Sequence, residues 1–477
     1  MGPVPAELFS SLRDVVGATQ VLSDADTRAP FETDWTGRFT GPSLAVVRPG
    51  STSEVVAVLD LCRSQGVPVV PQGGNTSLVG GSVPPARGAG MVPIVLSATR
   101  LADLDEADPV AAQITAGAGV TLARVQEVAA HAGLAFPVDL AARQSATIGG
   151  MIATNAGGLH VLRYGSMRAQ VLGVEAVLGN GAVVSRLSGL VKDNTGYDLS
   201  QLLVGSEGTL GFITGARLRL VPVLGERVAV LIGLPTTGSA LDVLTTLRGR
   251  AEGLEAIEIF FAEGLEVVRA HGGLPAPLPR PWPVYLVAEC ATATDRSDEL
   301  FEALAELDID DRATAVATDG PGRDRLWAYR ERHTEAVSAL GIPHKLDVTL
   351  PLGRLAEFDT EVRTAVHAVA PDATLIIWGH VGDGNLHVNV VGPPPDDDAV
   401  DDAVLCLVAA MGGSISAEHG IGRAKTAWLH LVRSPAELAA LAAVKGALDP
   451  SSILNPGVLI ADRRAPVATD GQAESHG

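Results

Sequence analysis

Cysteine is nearly absent from this chain of 477 residues. Three occur, Cys62, Cys290 and Cys406, isolated from one another and apolar in context. That excludes a disulfide framework and a cysteine metal site, and it predicts a reducing compartment, the cytoplasm. Apolar runs of about eighteen residues are missing, so no membrane span is expected. The first residues carry Glu7, Arg13 and Asp14 without an apolar core, which predicts no signal peptide. No repeat of fixed period occurs. Neither G-x-G-x-x-G nor a Walker loop stands in usable context, which removes the two commonest nucleotide-binding patterns. Positive charge is short as well: 35 Lys and Arg against 55 Asp and Glu leave a net charge of −20. Non-specific nucleic-acid binding is thereby excluded, and an anionic ligand would need local cations to hold it.

What is present describes a well-buried globular protein, 47% apolar and 19% charged, too long for one core. Residues 1–41 are expected to form a short helix and an irregular lead-in bearing Phe31, Trp35 and Phe39. From Leu44 a βαβ rhythm starts: strand 44–47, helix 53–64 capped by Ser51 or Ser53, strand 67–70. The loop Pro71-Gln72-Gly73-Gly74-Asn75-Thr76-Ser77-Leu78-Val79-Gly80-Gly81 follows, with four glycines whose backbone N–H groups can close on an anion. Helix 122–131 comes next. A run of small residues from Ser145 to Gly158 then lets something large approach the backbone, tight helix–sheet packing being the alternative. Strands 171–178 and 182–185 are predicted around Gly179-Asn180-Gly181, and Gly205-Ser206-Glu207-Gly208 feeds a strand running to about Val221. Together these cradles imply a large phosphate-bearing cofactor.

After Leu224 the pattern becomes α+β, an antiparallel sheet with helices on one face. Residues 327–334 are expected on a helix, with Arg330 and Thr334 on one face; taken alone, Arg330 would be a solvated charge. The stretch from Trp378 to Val390 carries the chemistry. Asp383-Gly384 is a type I′ hairpin signal that would set His380 directly opposite His387, with Asn389 on the same face. Two imidazoles in register make half of a divalent metal site or a substrate site; a cross-strand histidine pair on a half-buried sheet is the plainer alternative. Glu418 of Ser416-Ala417-Glu418-His419 can complete a set of two histidines and a carboxylate with open positions, leaving His419 free as a base. Residues 435–447 read as a helix.

In this order, Pro71–Gly81, Gly149–Gly158, Gly205–Gly211, Gly379–Asn389, Glu418–Gly422 and Asn455-Pro456-Gly457 resemble the FAD-linked 2-hydroxy-acid dehydrogenases of the vanillyl-alcohol oxidase superfamily. The resemblance runs from about Pro42 to Val458. It implies a two-part FAD-binding domain of the vanillyl-alcohol oxidase (PCMH) type over 42–221 and an α+β substrate domain with antiparallel sheet over 222–430. A helical segment, 431–461, returns to the flavin domain, and a disordered tail covers 462–477. Non-covalent FAD would lie on Pro71, Gln72, Gly73, Gly74, Asn75, Thr76, Ser77 and Leu78, on Pro137 and Asp139, and on Thr147, Gly149, Gly150, Ala153, Thr154, Asn155, Gly157 and Gly158. Tyr164, Gly165, Glu207, Gly208, Gly211, Ile213 and Asn455 would complete its site. Ser77-Leu78 departs from the glycine commoner at that point. A divalent metal, zinc by preference, would sit on His380, His387 and Glu418, with His419 as base.

The spacing of the histidines, Asn389 and Ser-Ala-Glu-His is most similar to the D-2-hydroxyglutarate branch, in which Arg330, Thr334 and Lys345 stand where substrate carboxylates are bound. D-lactate dehydrogenases and the glycolate oxidase flavin subunit share the histidines and Glu-His. The implied partners are a small anionic 2-hydroxy acid and a separate electron acceptor (flavoprotein, quinone or iron–sulfur protein), with a homodimer plausible for the family. An FAD-containing alkyl-transferase and a metallohydrolase are the rival readings, the latter a colourless protein.

Overall fold

A computed structural model of the chain describes residues 6–86, 90–294, 297–307 and 309–460. The expected disordered tail lies outside the described residues.

The first half is built on two four-stranded sheets. In one, Val46–Val47, Ile94–Ser97 and Val69–Gln72 run parallel, with Val21–Leu22 antiparallel at the edge. Helix Thr52–Gln65 forms the crossover. Ser51 caps it by accepting from Glu54 N at 3.2 Å, and Gly66 ends it at φ +66°. Its inward stripe is Val55, Val58, Leu59 and Cys62, at helical spacing. The other sheet is antiparallel, in the order Gln113–Gly117, Gly211–Arg219, Val171–Leu178, Val183–Ser185. One core joins both sheets. It takes in Leu8 and Leu12 of helix Ala6–Val16 and, from the far end of the chain, Ile453 and Leu454. Helix Pro435–Leu448 leads into that return, starting in a capping box between Ser434 and Glu437.

The second half is one antiparallel sheet of seven strands, in the order Thr314–Ala317, Glu226–Leu234, Val284–Thr292, Leu254–Phe261, Thr374–His380, Asn385–Val391, His344–Thr349. Helices cover both faces, not one. Val228, Val230 and Ile232 pack in the core that also holds Leu244, Phe358 and Val404, whereas Ala229 and Leu231 pack in a smaller core with Leu265, Leu326 and Val337. The reason lies in the strands themselves. Val-Ala-Val-Leu-Ile is apolar on both faces and must be covered twice. The smaller core covers only part of its face. The remainder, toward Asn385–Val391 and His344–Thr349, turns toward the first half.

Two further expectations are corrected here. The hairpin does not close on Asp383-Gly384 alone, because only Gly384 has positive φ (+83°) and a type I′ turn needs two such residues. Asp383 Oδ1 instead accepts from Asn385 N at 3.1 Å, and a four-residue loop, 381–384, forms. His380 therefore pairs with Asn385, and His387 pairs with Trp378. A slip of two residues keeps every side chain on its face, so the two imidazoles still meet, diagonally, with ring centroids 5.3 Å apart. The predicted helix through 327–334 is two: Gly320–Glu331 and His333–Ser338, joined at Arg332.

Candidate active site

Between the halves lies a cavity of about 600 Å³. One wall is Pro71 through Leu78, with Thr147, Gly149, Gly150, Ala153, Thr154, Gly157, Gly158, Glu207, Gly208, Gly211, Ile213 and Asp139. The other carries Arg330, Thr334, Lys345, Asn389, His380, His387, Glu418 and His419. Most of the residues singled out from the sequence are thus brought to one space. Five are not. Pro137, Asn155, Tyr164, Gly165 and Asn455 lie off its wall and work inside the protein. Asn155 Oδ1 accepts from Ser166 Oγ and Arg168 N, Tyr164 donates to Glu255 at 2.8 Å, and Asn455 Nδ2 donates to Gly81 O and Glu207 O, both at 2.8 Å.

The glycines do two different jobs. A Cβ on Gly74 would meet Ser145 O at 1.7 Å, one on Gly149 the Ala118 Cβ at 2.7 Å, and one on Gly158 Asp139 O at 2.0 Å. These are demanded by the chain packing on itself, the plainer of the two explanations. At Gly150 a Cβ would come no nearer than 3.5 Å to anything, so that backbone is open to the cavity. Thr147 Oγ1, buried beside it, has no partner among the described residues. A cavity of this volume with an open glycine backbone and an unsatisfied hydroxyl fits a dinucleotide laid along this wall. Glu207, 9% exposed, turns its carboxylate away from that role: it accepts from Ile421 N at 2.8 Å and Gly422 N at 2.7 Å, fastening the loop after His419 to the first half.

On the opposite wall the donor atoms of His380, His387 and Glu418 all lie within 4.8 Å of one another. Each histidine is backed by a buried carboxylate. His380 Nδ1 is 2.6 Å from Glu258 Oε1, which leaves Nε2 turned toward Glu418 at 3.6 Å. His387 Nδ1 is 3.3 Å from Asp347 Oδ1. A carboxylate behind each imidazole is the outer arrangement of metal-binding histidines, fixing ring and tautomer. A second set, Asp347 with His387 and His419, is equally compact. Asp347 Oδ2, however, already accepts three successive amides, Ala417 N at 3.1, Glu418 N at 2.7 and His419 N at 2.9 Å, and is saturated. The first set is therefore the one that fits an ion. Burial alone would lower the pKa of His380, but Glu258 and Glu418 outweigh it and raise it to about 9.

Burial has the opposite result at His419, lowering its pKa to about 4, so the ring is neutral. It stacks on His387 at 5.6 Å, and its Nδ1 has no hydrogen-bond partner among the described residues. Arg330 is no solvated charge. It is 6% exposed and held by Glu258 Oε2, which accepts from Nε and Nη2 at 2.8 Å each. Glu258 and Asp347 were not singled out from the sequence. The available signal was a carboxylate flanked on both sides by apolar, strand-forming residues, Ile-Glu-Ile and Leu-Asp-Val.

The FAD binding domain family model matches residues 43–186, and the model for the C-terminal domain of FAD linked oxidases matches 225–459. The chain is 37% identical to the D-2-hydroxyglutarate dehydrogenase of Xanthomonas citri pv. viticola, over 96% of this chain and 97% of that one. It is 38% identical to the mitochondrial D-2-hydroxyglutarate dehydrogenase of Bos taurus, over 92% of this chain and 80% of the other. Among solved structures, p-cresol methylhydroxylase with substrate bound superposes with a TM-score of 0.74 at 15% identity, covering 95% of this chain and 96% of that one. That likeness establishes the fold.

Proposed function

This chain belongs to the FAD-linked 2-hydroxy-acid dehydrogenases of the vanillyl-alcohol oxidase fold, and from that premise we propose that it oxidises D-2-hydroxyglutarate to 2-oxoglutarate. One observation carries the proposal. The donor set His380–His387–Glu418, the neutral His419 and the cations Arg330 and Lys345 share a cavity with the Gly73–Leu78 loop. Bound FAD supplies the hydride acceptor, and a bound divalent ion, zinc for this donor set, supplies a Lewis acid.

The chain's own residues do the rest. The amides of Gly73–Ser77 would hold the pyrophosphate, and Thr147 and Gly150 the neighbouring part of the cofactor. His380, His387 and Glu418 would hold the ion. His419 takes the hydroxyl proton on a ring nitrogen, which its burial keeps unprotonated. Arg330, its Nε and Nη2 occupied by Glu258, offers Nη1 to a carboxylate. Lys345, Thr334 and Asn389 line the same side of the cavity. Electrons then leave to a separate acceptor, a flavoprotein, quinone or iron–sulfur protein. We place the enzyme in the cytoplasm, where the free Cys62, Cys290 and Cys406 fit a reducing compartment. No helix among the described residues is long and apolar enough to cross a membrane.

The test is an anaerobic absorbance spectrum of the purified protein. It is expected to be yellow, bleached by D-2-hydroxyglutarate far more readily than by D-lactate or glycolate, and to lose that bleaching, but not its colour, with a chelator. Preferential bleaching by D-lactate or glycolate would move the substrate to the other branches of the family. A yellow protein bleached by none would overturn the proposal.

A further inference from the structure

The aromatic lead-in has so far played no part in the site. Thr33 and Thr40 pair as an antiparallel bridge, Asp34 N donates to Phe39 O at 3.0 Å, and Gly37 N donates to Asp34 O at 3.2 Å. Asp34, 4% exposed, accepts from Thr36 Oγ1 at 2.8 Å and Phe39 N at 3.2 Å, which fixes the turn from inside. Both halves of the molecule hold this hairpin. Asn75 Nδ2 of the glycine loop donates to Thr33 O at 2.9 Å, and Arg38 Nε donates to Pro395 O at 2.9 Å. The hairpin thus straps across the seam.

Its turn presents Trp35, which is 54% exposed and also lines the cavity. The indole therefore stands where the cavity meets solvent. Lys345 Nζ lies 4.8 Å from the centroid of the Trp35 ring, a cation–π contact. The ammonium has no hydrogen bond or salt bridge among the described residues; the Trp35 face and the charge of the neighbouring Asp34 carboxylate are what act on it there. Lys345 pairs with Asn389, and Asp347 pairs with His387. The Lys345–Asn389 row is therefore one strand repeat, about 7 Å, from the row that carries the metal-site histidine. That separation is of the order of the span between the two carboxylates of a five-carbon diacid.

We infer that Trp35 is a specificity-determining residue: its indole holds the Lys345 ammonium over the distal end of the substrate pocket, where the second carboxylate of a dicarboxylic hydroxy acid is recognised. A monocarboxylic acid has no group to place there and is indifferent to it. The inference rests on the proposed function and adds how a diacid is told from a monoacid.

The experiment compares wild-type holoenzyme with Trp35→Ala and Trp35→Phe by anaerobic stopped-flow flavin reduction, using D-2-hydroxyglutarate and D-lactate. Glutarate binding to the oxidised flavoprotein is read in parallel from the flavin difference spectrum. Trp35→Ala is expected to raise the half-saturating concentration of D-2-hydroxyglutarate about five- to tenfold, with the limiting rate and the D-lactate response held within about twofold, and to weaken glutarate equally. Trp35→Phe, which keeps an aromatic face, is expected to recover most of the loss. An equal loss with both acids, or no loss with either, would overturn the assignment. Reduction of the wild type by neither acid would instead overturn the underlying function; the glutarate titration, which needs no turnover, still decides the role of Trp35.

Discussion

Glu258 divides its oxygens between His380 Nδ1 and the Arg330 guanidinium, so one buried carboxylate orients an imidazole of the proposed metal site and a cation of the proposed substrate pocket together. In Glu258→Gln the amide presents its oxygen to only one of them and a donor to the other. Toward His380 that donor would force the tautomer carrying hydrogen on Nε2, the atom an ion needs. The variant is expected to keep its flavin and to lose metal affinity by about 10- to 100-fold, measured by chelator competition. Unchanged affinity would sink the orienting role. Because His380 is protonated up to about pH 9 without an ion, metal binding at pH 7 must displace that proton. Isothermal titration in buffers of different ionisation enthalpy should show its release, and apparent affinity should climb with pH and level off near 9. His419, with its pKa near 4, is neutral throughout this range. Substituting it by Ala should slow flavin reduction by about 10²- to 10⁴-fold, while metal and flavin content stay as they were. Stopped-flow reduction of metal-replete protein checks this.

The elements that deliver these residues are set by short-range chemistry that can be tested one turn at a time. The 381–384 loop depends on Gly384, whose φ is +83° and whose Cβ would stand 2.4 Å from Leu350 O. Gly384→Ala is expected to cost at least about 1–2 kcal/mol from the left-handed backbone alone, with the clash added. Thermal unfolding measures it, and a melting temperature equal to wild type would mean the loop is not held as described. The same loop shows what the dipeptide Asp-Gly can and cannot say. It marks a hairpin between two β runs, and a hairpin is there. It does not choose between a two- and a four-residue connection, because Asp383 can either enter the turn itself or cap it through its side chain.

At the scale of the whole molecule, the cavity exists because two separately built halves are fastened along a seam. Glu207 is one fastening: fully engaged with Ile421 N and Gly422 N, it ties the loop that follows Glu418 and His419 to the flavin wall. Glu207→Gln leaves one of those buried amides facing a donor, at a cost of about 1–3 kcal/mol. The expected outcome is a lower melting temperature and weaker retention of FAD on gel filtration; full retention would show that the seam is held without it.

The sequence by itself determined the order of the glycine cradles, the two-histidine motif, the Glu-His pair and the helix at Leu122–His131, because turns, caps and periodicity act over a few residues. It also determined that His380 and His387 share a face, since the period of a strand is two and the register slip was even. Only the tertiary structure decided the covering of both sheet faces and the burial of Arg330. The partnership of Glu258 with two distant side chains, and the strap that brings Trp35 to Lys345, were likewise decided there. Each depends on groups tens to hundreds of residues apart, and no local pattern encodes which buried carboxylate will meet which cation.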